Sequence, residues 1–207
     1  MFPDITRDDV FRLETRRLWL RWPRATDAVE IARLAGDKDV AYMTARLPYP
    51  YGRDAAERFI LDTRASNAGG RGIGLIITKK HKPMEPIGAI SFRESPRNDA
   101  LLGFWLGKPY WGNGLATEAA QGMIDTLFTL TQVREVRATT RVINPSSRRV
   151  LEKCGFAYEG SGLELLPARG GMESCDRFRL DRKAWASLKG WSMPALQRDE
   201  TGQALAG

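Results

Sequence analysis

Residues 110–119 read Tyr-Trp-Gly-Asn-Gly-Leu-Ala-Thr-Glu-Ala, and this stretch decides the fold. An apolar run at 101–106 precedes it and an amphipathic stretch at 115–130 follows, which predicts a strand, a glycine-rich turn and a helix. Small residues such as Gly112 and Gly114 let a ligand approach the backbone closely. The N–H groups of the helix's first turn would face that ligand, with the positive end of the helix dipole behind them. A phosphate or pyrophosphate is therefore the predicted ligand.

Several kinds of protein use such a turn, and the sequence separates some of them. A P-loop needs Gly-Lys followed by Ser or Thr, and the chain contains no such triplet. A dinucleotide fold needs a third glycine, where Thr117 stands, and an acid that ends the next strand, whereas Glu135 begins the next apolar stretch. The local pattern leaves two interpretations open: a phosphate site, or a strand-to-helix turn with a purely structural glycine.

Residues 142–156, Val-Ile-Asn-Pro-Ser-Ser-Arg-Arg-Val-Leu-Glu-Lys-Cys-Gly-Phe, form the second informative segment. Asn144 can cap a short helix, Pro145 fits its first position, and Gly155 supplies the left-handed residue after its end. The predicted buried stripe of this helix consists of Val150, Leu151 and Cys154. On this pattern alone the segment is only a well-capped helix.

Together the two segments resemble the GNAT acetyltransferase superfamily, and specifically its RimJ/RimL-like branch. The order in that family is W-G-x-G-x-A-T-E-A, a helix, a strand, then N-x-x-S-x-x-V-L-E-K-x-G-F, and this chain matches both motifs almost without a gap. Residues 13–21 resemble that branch's first strand and 87–92 a central strand, so the resemblance covers roughly residues 13–185. It implies an acetyl-CoA-dependent N-acetyltransferase of α/β (α+β) class, with a mixed central sheet whose central strands splay apart between flanking helices.

Composition fits one folded domain. The chain has 207 residues, 43% hydrophobic and 28% charged, and no apolar run approaches the roughly 20 residues of a membrane span. Its start lacks a secretory pattern, and two cysteines, Cys154 and Cys175, do not indicate a disulfide framework, so we expect a cytoplasmic protein. His81 is the only histidine, and no metal site is expected.

The net charge of +7 raises a second hypothesis, a non-catalytic GNAT-like module that binds RNA or ribosomes. The basic residues are dispersed, without a long stripe interleaved with aromatics, so nucleic acid is the less favoured partner. The phosphates of coenzyme A explain part of the charge. A nicotinamide-dependent oxidoreductase, resting on the lone G-x-G, is a third hypothesis.

The predicted organisation is an N-terminal arm over 1–12, the GNAT domain over 13–190 and a flexible C-terminal tail over 191–207. The predicted helices run from Asp27 to about Ala35, over 40–44, and from Asp54 to the glycines at 69 and 70. The predicted strands are 13–22, the hairpin of 74–79 and 87–92 across a basic, proline-containing loop, and then 133–142, 157–161 and 177–180.

The resemblance also implies where coenzyme A lies. The splay leaves backbone groups of Trp105, Leu106 and Gly107 unpaired, so that they hydrogen-bond the pantetheine as a neighbouring strand would. The glycine turn anchors the pyrophosphate through N–H groups of Gly112, Asn113, Gly114, Leu115, Ala116 and Thr117.

Three further positions follow from the same resemblance. Asn144 would contact the pantetheine amide while it caps its helix. Arg148 and Arg149 would approach coenzyme phosphates, or simply solvate the helix. Trp111 stands where many members carry Gln or Arg, and we expect it to pack against the start of the helix.

Protonation of the leaving thiolate points to Ser147. Many relatives place a tyrosine where this chain has Leu151, which cannot donate a proton. In the RimL-like branch the serine of N-x-x-S contacts the coenzyme sulfur instead, and Ser147 matches that serine. Its hydroxyl would stabilise the departing thiolate. The alternative is a serine bonded to the helix backbone.

The base and the acceptor are less constrained. An α-amine has a pKa near 7.7–8.0, so a water path is almost enough to remove its proton at pH 7. A lysine amine has a pKa near 10.4 and needs a stronger base to become neutral. The candidate carboxylates are Glu164, in the loop after the second motif, and Glu94, at the end of the 87–92 strand.

The acceptor is a protein N-terminal amine, of the ribosomal-protein type, or a small-molecule amine. Tyr49 and Tyr51 are candidates for its groove, with packing as their default role, and the resemblance leaves a homodimer open.

Overall fold

Eight strands form one sheet within residues 2–94 and 99–192, which are the residues that the computed structural model describes. The strands are β1 (Arg12–Glu14), β2 (Leu18–Arg21), β3 (Gly72–Lys79), β4 (Lys82–Glu94), β5 (Ala100–Leu106), β6 (Glu135–Arg141), β7 (Ala157–Leu166) and β8 (Gly171–Asp181). Their order is β1-β2-β3-β4-β5-β6-β8-β7, and β5 and β6 run parallel while the other neighbours are antiparallel. The predicted mixed sheet is confirmed.

Helices cover both faces of the sheet. They are α1 (Ala28–Ala35), α2 (Lys38–Tyr42), α3 (Arg53–Ala68), α4 (Leu115–Leu130), α5 (Pro145–Lys153) and α6 (Arg182–Ser192). Side chains along a strand alternate between faces. In β3, Ile73, Leu75 and Ile77 pack in the core that contains α4, whereas Ile76 packs in a second core with α1 to α3. A strand buried on both faces needs this continuous apolar sequence.

The two motif helices have the predicted limits. Helix α4 begins at Leu115 and ends at Leu130. Helix α5 is capped by Asn144, whose side-chain oxygen accepts the N–H of Ser147 at 3.0 Å, and Pro145 is its first residue. Gly155 follows it with φ +85°, in the left-handed region that glycine tolerates.

Several predicted strands have different limits in the structure. The single strand predicted over 13–22 is wrong, because a turn at 15–17 divides it into the hairpin of β1 and β2. The loop predicted between β3 and β4 shrinks to Lys80 and His81, since β4 begins at Lys82 and bulges to accommodate its prolines. Strands β7 and β8 are longer than predicted, because β7 is a largely exposed edge strand whose polar residues and glycines weaken the apolar signal.

The ends of the chain add two observations. Within the predicted arm, Phe2 and Thr6 are buried and residues 4–6 form a short 3-10 helix, so this segment packs on the domain. Helix α6 extends to Ser192, and the rest of the predicted tail, 193–207, lies outside the described residues. The domain boundaries stay predictions.

A buried ion pair joins β2 to the start of α1. Asp27, with which the predicted helix begins, stands at the N-cap of α1, but its carboxylate makes no capping bond there. It accepts two bonds from the Arg21 guanidinium, both at 2.8 Å, and one from the N–H of Arg24. The two side chains are 6% and 1% exposed, so each charge depends on the other for its stabilisation.

We expect Asp27→Ala to lower the free energy of unfolding by about 3–5 kcal/mol, because it leaves the Arg21 charge buried without a partner. Urea denaturation at pH 7 measures the change. Glu30→Ala is the matched control, since its pair with Arg33 is exposed and its loss should cost no more than about 1 kcal/mol. Equal losses in the two variants would contradict this account of the pair.

Candidate active site

A cavity of about 1000 Å³ passes through the sheet where β5 and β6 separate. Their parallel ladder has two residue pairs, Ala100 with Val136 and Leu101 with Arg137, and beyond these the strands diverge. The cavity wall includes the starts of α4 and α5 and also residues of α3, which packs on the other face. The predicted splay is confirmed, and it gives two molecules that approach from opposite faces a place to meet.

The backbone of β5 faces the gap at other residues than predicted. The N–H of Gly107 bonds the carbonyl of Ile87 on β4. Because bonding alternates along an antiparallel ladder, the backbone groups of Trp105 also point to β4, and those of Phe104 and Leu106 point to the gap. The sequence expectation was thus wrong for Trp105 and Gly107, and it missed Phe104, because register is not readable from one strand's sequence.

Trp111 occupies one of the β5 backbone groups that face the gap. Its indole N–H donates to the Leu106 carbonyl at 2.7 Å, so the groups left for a ligand on the gap side are the N–H of Leu106 and the backbone groups of Phe104. The indole lies on the cavity wall and 42% of Trp111 is exposed. Trp111 therefore fixes the end of β5 against the glycine turn, and its packing against the start of α4 stays a prediction.

The glycine turn presents bare N–H groups to the cavity. Gly112 and Gly114 have φ of +76° and +70°, a conformation that residues with a Cβ rarely adopt. Gly114 occupies the N-cap position of α4 and has no side chain to offer, so no side-chain cap covers the first-turn N–H groups. Gly112, Gly114 and 115–117 line the cavity, whereas Gly107 and Asn113 are absent from its wall.

Arg17 and Glu118 brace this turn, a role that the sequence did not suggest. The Glu118 carboxylate accepts the Thr15 hydroxyl at 2.6 Å, the Arg17 N–H at 2.7 Å and the Arg17 Nε at 2.6 Å. Arg17 also donates to the Asn113 carbonyl at 3.0 Å. Burial raises the pKa of Glu118, but the bonds from Thr15 and Arg17 outweigh burial and the net pKa lies below its usual value. The basic pair Arg16-Arg17, next to the first strand, was the sequence feature that pointed to an acidic partner elsewhere in the chain.

Of the residues predicted to bind coenzyme A at and within α5, some line the cavity and others do not. Asn144 and Ser147 line the cavity, and Asn144 also donates to the Met43 carbonyl at 3.4 Å, which ties α5 to the end of α2. Arg148 is not on the wall: it contacts Glu152, Asp176 and the ring of Tyr158. Arg149 does line the cavity.

The two carboxylates proposed as bases lie away from the cavity. Glu164 is on β7 rather than in a loop and accepts a bond from Arg177 at 2.5 Å. Glu94 ends β4 and is exposed. Within the described part of the chain, the carboxylate on the wall is Asp62 of α3, which the sequence did not single out.

Tyr51 packs in the core of α1 to α3 and also lines the cavity, whereas Tyr49 is not on the wall and packs against Tyr42. Burial raises the pKa of Tyr51 to about 12, so its phenol stays protonated near neutral pH. Thr140 of β6 adds a buried hydroxyl on the wall with no partner among the described residues.

A sheet opened beside an uncapped, glycine-led helix is the arrangement of an acyltransferase that uses coenzyme A. The family model described as an acetyltransferase (GNAT) domain matches residues 17–157, more than half of the chain. The chain therefore belongs to the GNAT acetyltransferase family. It is an acetyl-CoA-dependent N-acetyltransferase, its relatives support the RimJ/RimL-like branch, and the binding-module hypothesis is not favoured.

Individual relatives agree with this assignment. The chain is 27% identical to an uncharacterized N-acetyltransferase, p20, of Bacillus licheniformis, over 84% of this chain and 98% of p20. It is 37% identical to the ribosomal-protein-serine acetyltransferase of Escherichia coli, over 38% of this chain and 45% of that enzyme. The structure of Mycobacterium smegmatis RimJ in complex with CoA-disulfide superposes with a TM-score of 0.72 at 21% identity, covering 88% of this chain and 95% of RimJ. None of the described helices is long and apolar enough to cross a membrane.

We expect Glu118→Gln to lower the free energy of unfolding by about 1–3 kcal/mol at pH 7, because it removes charge-assisted bonds to Thr15 and Arg17. The native pKa of Glu118 is below its unfolded value, so the carboxylate stabilises the fold above the unfolded pKa, and this contribution is lost as the pH falls through the native pKa. Urea denaturation of both proteins between pH 7 and pH 3 measures the difference, which should shrink toward acid pH. A difference that stays constant across this range would contradict the electrostatic explanation.

Proposed function

We propose that this chain transfers an acetyl group directly from acetyl-CoA to the α-amine of a protein N-terminus, or to a small-molecule amine of similar basicity. The observation that carries the proposal is the cavity that joins the two faces of the sheet through the β5–β6 gap. The name of the E. coli relative, a ribosomal-protein-serine acetyltransferase, supports a protein N-terminus as one acceptor.

Coenzyme A would approach from the α4 and α5 side. The N–H groups of the first turn of α4 would hold its pyrophosphate, with the helix dipole adding to the attraction. Backbone groups of Phe104 and Leu106 and the capping side chain of Asn144 would hold the pantetheine. Arg149, rather than Arg148, is the α5 arginine placed for the phosphates, since Arg148 is bound to Glu152 and Asp176.

Ser147 is the residue that we propose for the leaving group. The amine nitrogen forms a bond to the thioester carbonyl carbon, the carbon–sulfur bond breaks, and the sulfur takes up a proton. The N–H of Ser147 is held by Asn144, and its hydroxyl, which has no hydrogen bond to the described residues, belongs to a residue on the cavity wall. That hydroxyl would donate to the departing sulfur.

The amine's proton leaves by a water path in this proposal. Glu94 and Glu164 do not line the cavity, so neither is proposed as the base. An α-amine with a pKa near 7.7–8.0 is neutral often enough at pH 7 to react without a strong base. Asp62 would orient the amine rather than abstract its proton.

A cytoplasmic location is also proposed, because Cys154 and Cys175 are both free and buried, which suits a reducing compartment. A homodimer stays a hypothesis, which sedimentation equilibrium would test directly.

Saturating acetyl-CoA should raise the melting temperature by several degrees, since a ligand at about 100 times its dissociation constant stabilises the fold by about 2.7 kcal/mol. In Gly114→Glu the rise should vanish, because a carboxylate at the helix start repels the pyrophosphate and strains the left-handed turn. Gly171→Glu, at a half-buried position with open space around it, is the control and should keep the full rise. No rise in the wild type would refute coenzyme binding at this site.

Ser147→Ala should lower kcat by about tenfold to a hundredfold while the dissociation constant of acetyl-CoA changes less than threefold, because the hydroxyl acts only as the sulfur leaves. Turnover is followed by thiol release and affinity by calorimetry. Ser174→Ala is the control, because Ser174 is exposed and is not on the cavity wall. Unchanged kcat in Ser147→Ala would show that the sulfur is protonated by another group.

A further inference from the structure

Three arginines line the cavity on the side away from the proposed coenzyme site. Arg46 follows α2, Arg58 lies on α3, and Arg93 lies near the end of β4. Arg93 lies an even number of residues from Ala89, which packs in the core of α1 to α3. It is adjacent to Phe92, which packs in the core of α4 on the opposite face. By the alternation of side chains, Arg93 faces the α3 side, as Arg58 does.

None of these three arginines forms an ion pair within the described residues, in contrast to arginines elsewhere in the fold. Arg137, for example, lies within 4.0 Å of carboxylates of Asp99, Glu135 and Glu159. Each guanidinium carries five fixed donors and stays charged at any physiological pH. The cavity wall therefore presents a concentration of unneutralised positive charge.

This arrangement costs free energy in the unliganded protein. Arg93 is half-buried, and burial followed by the positive charge of Arg46 lowers its pKa. Like charges that share a partly dry site repel each other more strongly than they would in water. A sequence that keeps such a conflict beside a cavity marks a position where function, rather than stability, sets the residue.

We propose that the acceptor carries a carboxylate or phosphate in addition to its amine, and that Arg46, Arg58 and Arg93 bind this anionic group. The proposal rests on the acetyl transfer proposed above and specifies its substrate class. Planar guanidiniums bind both kinds of oxyanion, often through two parallel bonds.

Asp62 completes the complementarity. It lies on α3 one turn after Arg58, has no ion pair within the part of the chain that the structure describes, and also lines the cavity. An amine that meets three cations would be repelled, but a carboxylate beside them can attract its ammonium form. The wall thus offers one acidic and several basic groups, which suits an acceptor that carries both charges.

Matched acceptors test the proposal. The tetrapeptide amides Ser-Glu-Ala-Tyr, Ser-phosphoserine-Ala-Tyr and Ser-Gln-Ala-Tyr differ only in the side chain at the second position, and tyrosine is compared with tyrosinamide for small molecules. With saturating acetyl-CoA, kcat/KM from thiol release should be at least about tenfold higher for the anionic members of one series, mainly through a lower KM. The two peptide anions separate phosphate from carboxylate, and the tyrosine pair separates a free amino acid from a peptide.

Arginine variants connect the preference to this wall. In Arg93→Gln and Arg46→Gln the preference should fall to about threefold or less, and Arg46→Lys should retain most of it because the charge remains. Arg53→Gln is the control for net charge: Arg53 is also on α3, but its partner is Glu57 and it is not on the cavity wall. An unchanged melting rise with acetyl-CoA shows that each variant is folded and binds coenzyme.

The outcomes separate the two proposals. Equal rates for anionic and neutral acceptors, a preference that survives both glutamine variants, or no acetylation of any anionic acceptor by protein that binds acetyl-CoA would each overturn the anionic acceptor. The first two of these results would leave acetyl transfer itself intact. Only a failure to bind acetyl-CoA would refute the proposed function at its root.

Discussion

The end of hydrogen bonding between β5 and β6 after Leu101 and Arg137 is the constraint on which the rest of the site depends. A sheet interior normally satisfies every backbone N–H and C=O, and unpaired groups there cost free energy. Here the gap is made tolerable because it opens into a cavity of about 1000 Å³ rather than into packed side chains. The antiparallel ladder with β4 holds β5 straight along its full length, so the separation persists without any support from β6.

Hydrogen bonds from a few side chains hold the elements that border this gap. Trp111 bonds the last carbonyl of β5, and Asn144 joins the start of α5 to the end of α2. Arg17 and Glu118 hold the glycine turn from the side of the sheet edge. Each contact is a side chain that bonds backbone or a partner far away in sequence, so the cavity is shaped by a small number of directed hydrogen bonds over a generic apolar core.

The sequence was informative where a local pattern dictates a local structure. The limits of α4, the cap of α5 by Asn144 and the left-handed Gly155 were all predictable, because capping and turn chemistry act within a few residues. Features set by register or by distant partners were not. The orientation of the Trp105 backbone depends on its pairing with β4, and the position of Glu164 on an exposed edge strand depends on its pairing with β8. Asp62 and the three arginines gather at the cavity only through the packing of α3, β4 and the segment after α2, which no spacing along the chain encodes.

The hydrogen bonds of Arg17 and Glu118 at the glycine turn link the conformation of this turn to the folding of the whole sheet. Thr15 and Glu118 are 103 residues apart, and Arg17 and Asn113 are 96 apart, yet their bonds hold the conformation of the turn. Contacts of such separation close large loops and are made after local structure has formed. Helix α4 can therefore form early from its own sequence, while its ligand-ready first turn waits for the β1–β2 hairpin to dock. Recognition of a phosphate is in this sense a property of the completed sheet rather than of the motif, and a grafted copy of residues 110–119 would inherit the glycines without the geometry.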